Sequence, residues 1–526
     1  MTVSEPSDIS RRSFVLGTTA TVVMSAAGGR SASSTSASNG SELCNLTAVE
    51  AVAHMSQGAL TSERYAEALL ARCQAAHSLN AFITRVPAQV LEDARARDRE
   101  RLAGAKPGPL FGLPIPVKDS VNTRDYPTTA GTAALRHFRP REDAPVVATL
   151  RTAGALVLGK TNLHELSYGW TSNNLAFGAV HNPYDGSRIP GGSSGGTAAA
   201  IAARLAPLGV AEDTEGSIRV PAAFCGIAGF RPTTGRYSTR GCVPISPLFD
   251  QVGPHARTVE DIALFDSVAA NDWQRLDAAS LKGVRLGVVR DFWFTDLDPE
   301  VLRLTELALA RLQEAGAQII DTQLPGLAPL IELTTDAVQN HDVRVALAHY
   351  LKEYGAGVDF ETLVARTSPD IQRVFRSDVL PGGANFVTEA VYAAARDQHL
   401  PALRRLYQDY FARTGVTAMV FPTTLVAAPK IGEETRVAVG DHSLPFDVAI
   451  ARNIAPGSTA GLPGLVLPVG LNKDGLPLSI ELDAPAGHDR ALLALGVSVE
   501  RALGSLPAPP SPTNVAPWDP HAQRVR

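Results

Sequence analysis

Cysteine is scarce in this sequence, with four residues among 526, and no two of them stand in C-x-x-C spacing. The spacing therefore predicts neither a zinc site nor the disulfide framework of a small secreted domain. A Cys44–Cys73 disulfide is the alternative if the chain is exported, but two thiols buried in the core are favoured.

An excess of basic charge is also missing. The chain has 48 Lys and Arg against 53 Asp and Glu, and its formal net charge is −5. A nucleic-acid-binding protein would need a strongly basic domain or stripe, so this class of partner is not predicted. Apolar residues make up 45% of the chain and charged residues 19%, which is typical of a soluble globular enzyme.

No segment is apolar over the length that a membrane-spanning helix requires, so stable membrane insertion is not predicted. The nearest candidate is SRRSFVLGTTATVVMSAAGG at residues 10–29, which is too short and too weakly apolar. Its Arg11–Arg12 pair, moderate apolar stretch and small residues near Ala26 are typical of a twin-arginine export signal. The alternative is a disordered tail with two chance arginines. We expect a periplasmic or secreted protein.

Composition divides the chain into three parts. Residues 1–42 are interpreted as the signal peptide followed by a serine-rich spacer, SASSTSASNG. Residues 43–510 are expected to form the folded domain, and residues 511–526 a proline-rich tail. Within the domain, residues 325–410 are the most helical and carry the fewest motifs, so they are the candidate cap over a pocket.

Short apolar runs bounded by glycine or proline alternate with alanine-rich helical stretches. This alternation predicts an α/β fold around one large and mostly internal sheet. Two helices are expected within residues 47–77, because Thr47 and Glu50 have the spacing of a capping box. The predicted strands lie in residues 113–119, 155–162, 284–290, 418–422, 464–470 and 476–484, and the predicted helices in 145–153, 197–204, 301–315 and 490–503.

Two glycine-rich turns contain three serines, any of which is a candidate nucleophile. PGGSSGG at 190–196 fits the G-x-S-x-G pattern of a nucleophile elbow, which would select Ser194. That pattern has meaning only between a strand and a helix, and the preceding HNPYDGSRIP is rich in turn residues with no apolar run. A phosphate-binding loop is also disfavoured, because the P-loop lysine and the dinucleotide spacing are absent.

The wider pattern resembles the amidase signature family. The resemblance rests on PVKDS at 116–120, PGGSSGG, DTEGSIRVPAAFCG at 213–226, and the blocks GKTNLHELSYGWTSNN and GFRPTTGRYS. It implies a large central mixed β-sheet with helices on both faces and a helical cap region. It also implies an amidase that acts on a small-molecule amide and uses neither a metal nor another cofactor. Assembly as a homodimer is left open.

The resemblance further implies roles for individual residues. Ser217 would be the nucleophile, Ser193 would pass on its proton from a cis peptide bond with Gly192, and Lys118 would be the base. Ser167 would contact the substrate. The loop residues Thr214, Glu215 and Gly216 would serve the oxyanion. Asp213 and Arg219 are expected to form a buried pair that supports this loop.

The chemistry explains why a lysine and two serines belong together. A serine hydroxyl needs a base to act as a nucleophile at neutral pH. Lysine is such a base only when it is neutral, which requires burial or neighbouring charges that lower its pKa. Lys118 follows the apolar run LPIPV, so we expect it at the end of a buried strand. The alternative is a strand-end lysine that extends to solvent.

Glu215 departs from the family pattern, which usually has glycine at this position of D-T-G-G-S. A residue other than glycine is disfavoured if φ is positive there, and a carboxylate near a developing oxyanion opposes catalysis. A weakly active or non-catalytic protein of the amidase fold is therefore the alternative function. An amidotransferase subunit is a third, which the export signal and the acidic charge disfavour.

The substrate class is predicted from the apolar and aromatic residues of 125–175 and 325–460. They suit an aryl or arylalkyl acyl group beside a small leaving amine. We therefore expect hydrolysis of small aromatic or hydrophobic amides, with similarly shaped esters or carbamates as further substrates. The aromatic residues in question are Tyr126, Tyr168, Trp170, Phe177, Phe386 and Phe446.

Overall fold

The computed structural model describes residues 40–273 and 276–510. The predicted signal peptide, all of the serine-rich spacer except Gly40, and the predicted proline-rich tail lie outside the described residues. Among the residues described, no helix is long and apolar enough to cross a membrane. All four cysteines are buried free thiols.

The centre of the molecule is a mixed sheet of eleven strands. In chain order, β1–β11 are Phe82–Thr84, Pro114–Lys118, Leu156–Thr161, Leu208–Asp213, Ala228–Arg231, Gln251–Ala256, Arg285–Val288, Gln318–Asp321, Ala418–Pro422, Gly464–Leu471 and Pro477–Asp483. Their order across the sheet is β1-β3-β2-β4-β6-β5-β10-β11-β9-β7-β8. The pairs β3–β2, β2–β4, β9–β7 and β7–β8 are parallel, and the other neighbours are antiparallel.

The rest of the regular secondary structure is mainly helical. The α-helices are Gly40–Leu43, Ala48–Gln57, Ser62–Ala75, Pro87–Leu102, Pro145–Thr152, Gly195–Ala202, Arg219–Cys225, Val259–Ala269, Arg290–Trp293, Pro299–Glu314, Leu327–Glu332, Thr335–Glu353, Phe360–Ala365, Pro369–Val374, Glu389–Ala394, Leu400–Thr414, Phe446–Ala451, Ala455–Ala460 and Asp489–Leu503. Short 3-10 helices span His77–Leu79, Ala133–Leu135 and Glu165–Ser167, and π-helical turns span Phe375–Val379 and Ala395–His399. Two further strand pairs are Asn173–Asn174 with Gly178–Ala179, and Arg436–Val439 with His442–Pro445.

Side chains alternate along each strand, so apolar residues point to both faces of the sheet. Helices pack against them on each face. Val157 of β3 packs into one apolar cluster, while its neighbours Leu156 and Leu158 pack into another. The first cluster includes the helices Val259–Ala269, Pro299–Glu314 and Asp489–Leu503, and the second includes Ser62–Ala75, Gly195–Ala202 and Arg219–Cys225. The α/β prediction of a large sheet flanked by helices is therefore confirmed.

All six predicted strands are present, and so are the predicted helices. The expected capping box is also formed: the Glu50 N–H donates to Thr47 Oγ1 at 3.1 Å, and the Thr47 N–H donates to the Glu50 carboxylate at 2.9 Å. Five strands of the central sheet were not predicted, namely β1, β4, β5, β6 and β8. They are short, or they contain proline or charged residues that hide the apolar pattern, as in QVGPHA and LGVAED.

The topology brings two strand ends together at one edge of the sheet. Strand β2 runs parallel to β4, with Val117 opposite Val210, so Lys118 and the end of β4 lie at the same edge. The carboxyl edge of parallel strands is where ligand sites occur in open α/β sheets. Residues 325–410 are largely helical, as predicted, and contact this edge through the helix Thr335–Glu353.

Candidate active site

Lys118 is fully buried at the end of β2. Its Nζ lies 2.6 Å from Ser193 Oγ and 2.6 Å from Glu212 Oε1. Burial lowers the pKa of the Lys118 amine below its usual value, and the Glu212 carboxylate opposes that change. The alternative of a lysine that extends to solvent is therefore wrong.

Ser193 and Ser194 have different surroundings although they are adjacent. The Gly192–Ser193 peptide bond is cis, and the Ser193 carbonyl accepts the His164 N–H at 3.1 Å. The Ser194 hydroxyl instead donates to the Glu212 carbonyl at 3.0 Å. Ser194 is thus engaged with the backbone of β4, while the Ser193 hydroxyl contacts Lys118.

The loop that follows β4 carries Ser217, whose exposed fraction is 5%. Asp213 holds this loop, because its carboxylate accepts the N–H of Gly216 at 2.7 Å and of Ile218 at 2.9 Å. Gly216 has a φ of 103°, a conformation that favours glycine. The Ser194 N–H donates to the Ser217 carbonyl at 3.3 Å, which ties the two serine-bearing loops together.

The Gly216 N–H has a different hydrogen-bond partner from the one that the family resemblance implies. It was expected to serve the oxyanion, but in this structure it is bonded to Asp213 Oδ1. The reason is the tight turn, which folds the Asp213 carboxylate back over the loop. Oxyanion binding by the Thr214 and Glu215 N–H groups stays a prediction, as do the catalytic roles of Lys118 and the two serines.

Asp213 and Arg219 form a buried ion pair, with Arg219 Nε 3.1 Å from Asp213 Oδ2. Burial by itself raises the pKa of Asp213, but the Arg219 and Arg231 charges outweigh it and lower the pKa to about 2. Arg219 also contacts Glu481 of β11 at 2.6 Å. The loop is therefore anchored to the central sheet by charge-assisted hydrogen bonds.

Glu212 is a site residue that the sequence analysis missed. Its Oε1 accepts from Lys118 Nζ, from Ser120 Oγ at 3.2 Å and from Ser167 Oγ at 2.5 Å. Ser167 is thus placed beside Lys118 through this carboxylate. The signal that could have found Glu212 was the strand β4 itself, because its pairing with β2 places position 212 near Lys118.

Glu215 does not have a positive φ, so the backbone strain considered from the sequence does not arise. Its side chain is partly buried, and Oε2 accepts from Gln339 Nε2 at 2.8 Å. Gln339 also donates to Asp336 at 3.0 Å. Burial, followed by the nearby Asp336 charge, raises the pKa of Glu215 to about 8. Below that pH the side chain is mostly a neutral carboxylic acid.

A second set of contacts, which no sequence pattern indicates, links the loop to the helix Thr335–Glu353. Thr214 Oγ1 donates to Asp250 at 2.6 Å, and Asp250 accepts the Ser246 N–H at 3.2 Å. The Ser246 hydroxyl then donates to Asp342 of the helix at 2.6 Å. Burial and the Glu212 charge raise the pKa of Asp250 to about 7.

Two of the predicted aromatic residues lie near the loop that carries Ser217. Trp170 Nε1 donates to the Glu215 carbonyl at 2.9 Å, and Trp170 packs against an apolar cluster that contains Phe446 and Ile454. Ile454 faces Gly216. Tyr168 is close as well: its hydroxyl donates to Asn340 of the helix Thr335–Glu353.

The prediction that Tyr126 lines the pocket is wrong. Tyr126 is 2% exposed within the main core, and its hydroxyl donates to the Val157 carbonyl of β3 at 3.2 Å. Phe177 lies under the Arg136 guanidinium, 4.5 Å from its ring centroid, and Phe386 is partly buried. Within residues 40–273 and 276–510, no group of three His, Cys, Asp or Glu side chains is placed to hold a metal ion.

Comparisons with known proteins identify the family of this chain. The family model described as Amidase matches residues 64–493. The mandelamide hydrolase of Pseudomonas putida is 38% identical over 480 residues, covering 89% of this chain and 93% of that protein. An indoleacetamide hydrolase of Agrobacterium vitis is 37% identical over 438 residues, covering 83% and 92%.

Solved structures show the same relationship. The native peptide amidase from Stenotrophomonas maltophilia has a TM-score of 0.73 and 28% identity, covering 89% of this chain and 99% of that one. The match to the family model extends over most of the chain, from the helix Ser62–Ala75 to the helix Asp489–Leu503. This chain therefore belongs to the amidase signature family and is a hydrolase of amide C–N bonds.

Proposed function

We propose that this protein is an exported amidase that hydrolyses small aromatic or hydrophobic amides through an acyl-enzyme on Ser217. The observation that carries the proposal is the 2.6 Å contact between Lys118 Nζ and Ser193 Oγ, at a fully buried lysine. A buried amine is more readily neutral, and a neutral amine can accept a proton from serine.

In the proposed reaction, the Ser217 hydroxyl proton passes to Ser193 while the Ser193 proton passes to Lys118. Ser217 Oγ bonds to the substrate carbonyl carbon, and the C–N bond then breaks as the leaving amine takes the proton back through the same groups. Water next attacks the ester formed on Ser217, and its proton follows the same route. The acid is released and Ser217 regains its proton.

The choice of an aryl or hydrophobic acyl group rests on the surroundings of Ser217. Trp170, Phe446 and Ile454 supply apolar surface beside the loop that carries it. The names of the similar hydrolases, for mandelamide and indoleacetamide, are in keeping with an arylalkyl acyl group and a small leaving amine. Similarly shaped esters and carbamates would use the same acyl-enzyme route.

A substrate panel tests this proposal. We expect kcat/KM for phenylacetamide, mandelamide and indoleacetamide to exceed that for acetamide and for charged peptide amides. The Ser217→Ala protein is the control, and it should hydrolyse none of them above background. A preference for acetamide over every aryl amide would contradict the substrate class and leave the mechanism standing.

Covalent labelling tests the mechanism separately from the substrate. A fluorophosphonate should modify Ser217, and mass spectrometry of the digested protein should locate the adduct there. Absence of labelling in a folded protein without amidase activity would instead support the non-catalytic alternative.

Export is supported by the Arg11–Arg12 motif. We expect the wild type in the periplasmic or secreted fraction of a bacterium with a twin-arginine pathway. The Arg11→Lys, Arg12→Lys double variant should stay in the cytoplasm. Equal distribution of the two proteins would contradict the proposal.

A further inference from the structure

Glu212 is a nearly buried carboxylate, 5% exposed, at the end of β4. Its position follows from the sheet, because β4 runs parallel to β2 and their carboxyl ends meet at one edge. The side chain forms an ion pair with Lys118 at 2.6 Å. A carboxylate in contact with the base of the proposed reaction needs an explanation, since it favours the protonated and therefore inactive lysine.

The hydrogen bonds around Lys118 suggest what this contact does. A neutral amine has two N–H bonds and one lone pair. Glu212 offers Lys118 Nζ two acceptors, its Oε1 at 2.6 Å and its backbone carbonyl at 3.5 Å. When both N–H bonds point to Glu212, the lone pair is what remains on Nζ for Ser193 Oγ, which lies 2.6 Å away.

The carboxylate is itself held in place. Ser120 Oγ and Ser167 Oγ both donate to the same Oε1 that contacts Lys118. These two hydroxyls come from the segments that follow β2 and β3, so three elements fix one oxygen atom. Such support restricts the rotamer of Glu212, and through it the direction of the Lys118 amine.

We propose that Glu212 is a positioning residue, which orients the Lys118 amine toward Ser193 and sets the pH above which that amine accepts a proton. The inference rests on the proposed function, because it assumes that Lys118 is the base. Other titratable or charged groups also act on Lys118 and Glu212 from neighbouring elements, namely Asp213, Asp250, Cys242, His164 and His255, with the buried Lys160–Asp119 pair nearby.

The sign of the pH effect follows from the charge on Glu212. Activity requires neutral Lys118, so it is lost as the pH falls through the pKa of this amine. A carboxylate in contact stabilises the ammonium form and keeps this pKa higher than burial alone would. Removing the negative charge should therefore move the acidic limb of the pH–activity profile to lower pH.

The experiment compares kcat/KM against pH for the wild type and for Glu212→Gln, Glu212→Asp and Glu500→Gln. Glu500 is the matched control, because it is a partly buried carboxylate that accepts the Val259 N–H. Rates of fluorophosphonate labelling at Ser217 against pH give the same comparison without a substrate. Thermal unfolding shows which variants are folded.

We expect Glu212→Gln to shift the acidic limb to lower pH by about 1–3 units, the usual effect of removing an opposite charge in contact. Its plateau should fall about tenfold or more, because the base is weaker and less well oriented. Glu212→Asp keeps the charge, so its limb should stay near that of the wild type while its plateau falls. Glu500→Gln should match the wild type in both respects.

A limb that does not move in folded Glu212→Gln, in both turnover and labelling, would overturn the inference. An acidic limb that shifts by the same amount, about 1–3 units, in Glu212→Asp would also overturn the inference, because this variant keeps the negative charge. Glu212→Asp therefore gives the test if Glu212→Gln does not fold. Failure of the proposed function looks different, because the wild type itself would then neither turn over amides nor label at Ser217.

Discussion

The hydroxyl groups of Ser193 and Ser194 differ in what they contact, and Ser217 lies on a separate loop. Ser193 Oγ lies against the buried Lys118 amine, whereas the Ser194 hydroxyl donates to the carbonyl of Glu212. Ser217 is on the loop held by Asp213 and Arg219. The G-x-S-x-G pattern, which selects Ser194, therefore coincides with a hydroxyl that has a structural partner.

Alanine substitutions distinguish these serines. Ser217→Ala should lower kcat at least about 10⁴-fold, because it removes the nucleophile and very little volume. Ser194→Ala should keep kcat within about tenfold and cost about 1 kcal/mol of stability, since it removes a single neutral hydrogen bond. Steady-state kinetics and thermal unfolding check both. The reverse ranking of the two kcat values would show that Ser194 is the nucleophile.

Glu215 should limit activity at alkaline pH. Its pKa is raised to about 8, so a negative charge develops on the loop that carries Ser217 as the pH rises through that value. This charge opposes the oxyanion, and kcat of the wild type should decline there.

Glu215→Gln cannot ionise and retains a partner for Gln339, so its kcat should stay level above about pH 8. The measurement is kcat against pH on a neutral aryl amide. Glu434→Gln is the control, because Glu434 is a partly buried carboxylate that accepts from Asn173 at 2.7 Å. Identical alkaline limbs in the wild type and in Glu215→Gln would show that the side chain does not act on the reaction.

At the scale of elements, two short helices hold the serine-bearing loops. Gly195–Ala202 begins directly after Ser194, and Arg219–Cys225 begins two residues after Ser217. The first helix packs very closely on its neighbours: a Cβ at Gly196 would lie 2.3 Å from the Asn162 carbonyl oxygen and 2.5 Å from that of Ala81. The glycine is therefore required by space.

Gly196→Ala should destabilise the protein by about 1–3 kcal/mol, because rigid backbone atoms would have to move. It should also lower kcat, since Ser193 and Ser194 directly precede this helix. The matched control is Gly40→Ala, another helical glycine, where an added Cβ has no heavy atom within 4 Å. Equal unfolding free energies for the two variants, from chemical denaturation, would contradict the close packing.

The helix Thr335–Glu353 is the element through which residues 325–410 contact the site. Its residues Gln339, Asn340 and Asp342 contact Glu215, Tyr168 and Ser246 respectively. These three contacts come from fewer than two turns of helix. Residues 325–410 therefore form part of the surroundings of the loop that carries Ser217. We expect substitutions in this helix to change KM more than they change the proton-transfer steps.

At the scale of the whole molecule, buried carboxyl groups make stability depend on pH. Burial raises the pKa of Glu500 and of Asp250 to about 7, whereas unfolded chains ionise these groups near pH 4. Between those values the folded state binds more protons than the unfolded state, so these groups lower the unfolding free energy as the pH rises. Asp213 acts in the opposite sense, and its contribution is lost as the pH falls toward about 2.

Glu500→Gln isolates one of these contributions. The unfolding free energy of the variant minus that of the wild type should increase from about pH 4.5 to about pH 7 and then level off. The amide oxygen can still accept the Val259 N–H, so the contact itself is retained. Denaturant titrations at several pH values give the difference. A difference independent of pH would mean that Glu500 ionises alike in both states.

The sequence by itself determined the class of the fold and the residues of the proposed proton chain. Apolar runs predicted six strands, and the one ending at Lys118 is a strand of the central sheet. The serine spacing and the family resemblance selected Ser193 and Ser217 over Ser194. The strands are local features, and local backbone and side-chain preferences are sufficient to produce them.

Only the tertiary structure decided which groups surround that chain. Glu212 is 94 positions from Lys118, and Gln339 is 124 positions from Glu215. No local pattern links such residues; the parallel pairing of β2 with β4 and the packing of the helix Thr335–Glu353 bring them into contact. The same packing placed Tyr126 in the core, because burial depends on which elements meet and an aromatic side chain suits a core as well as a pocket.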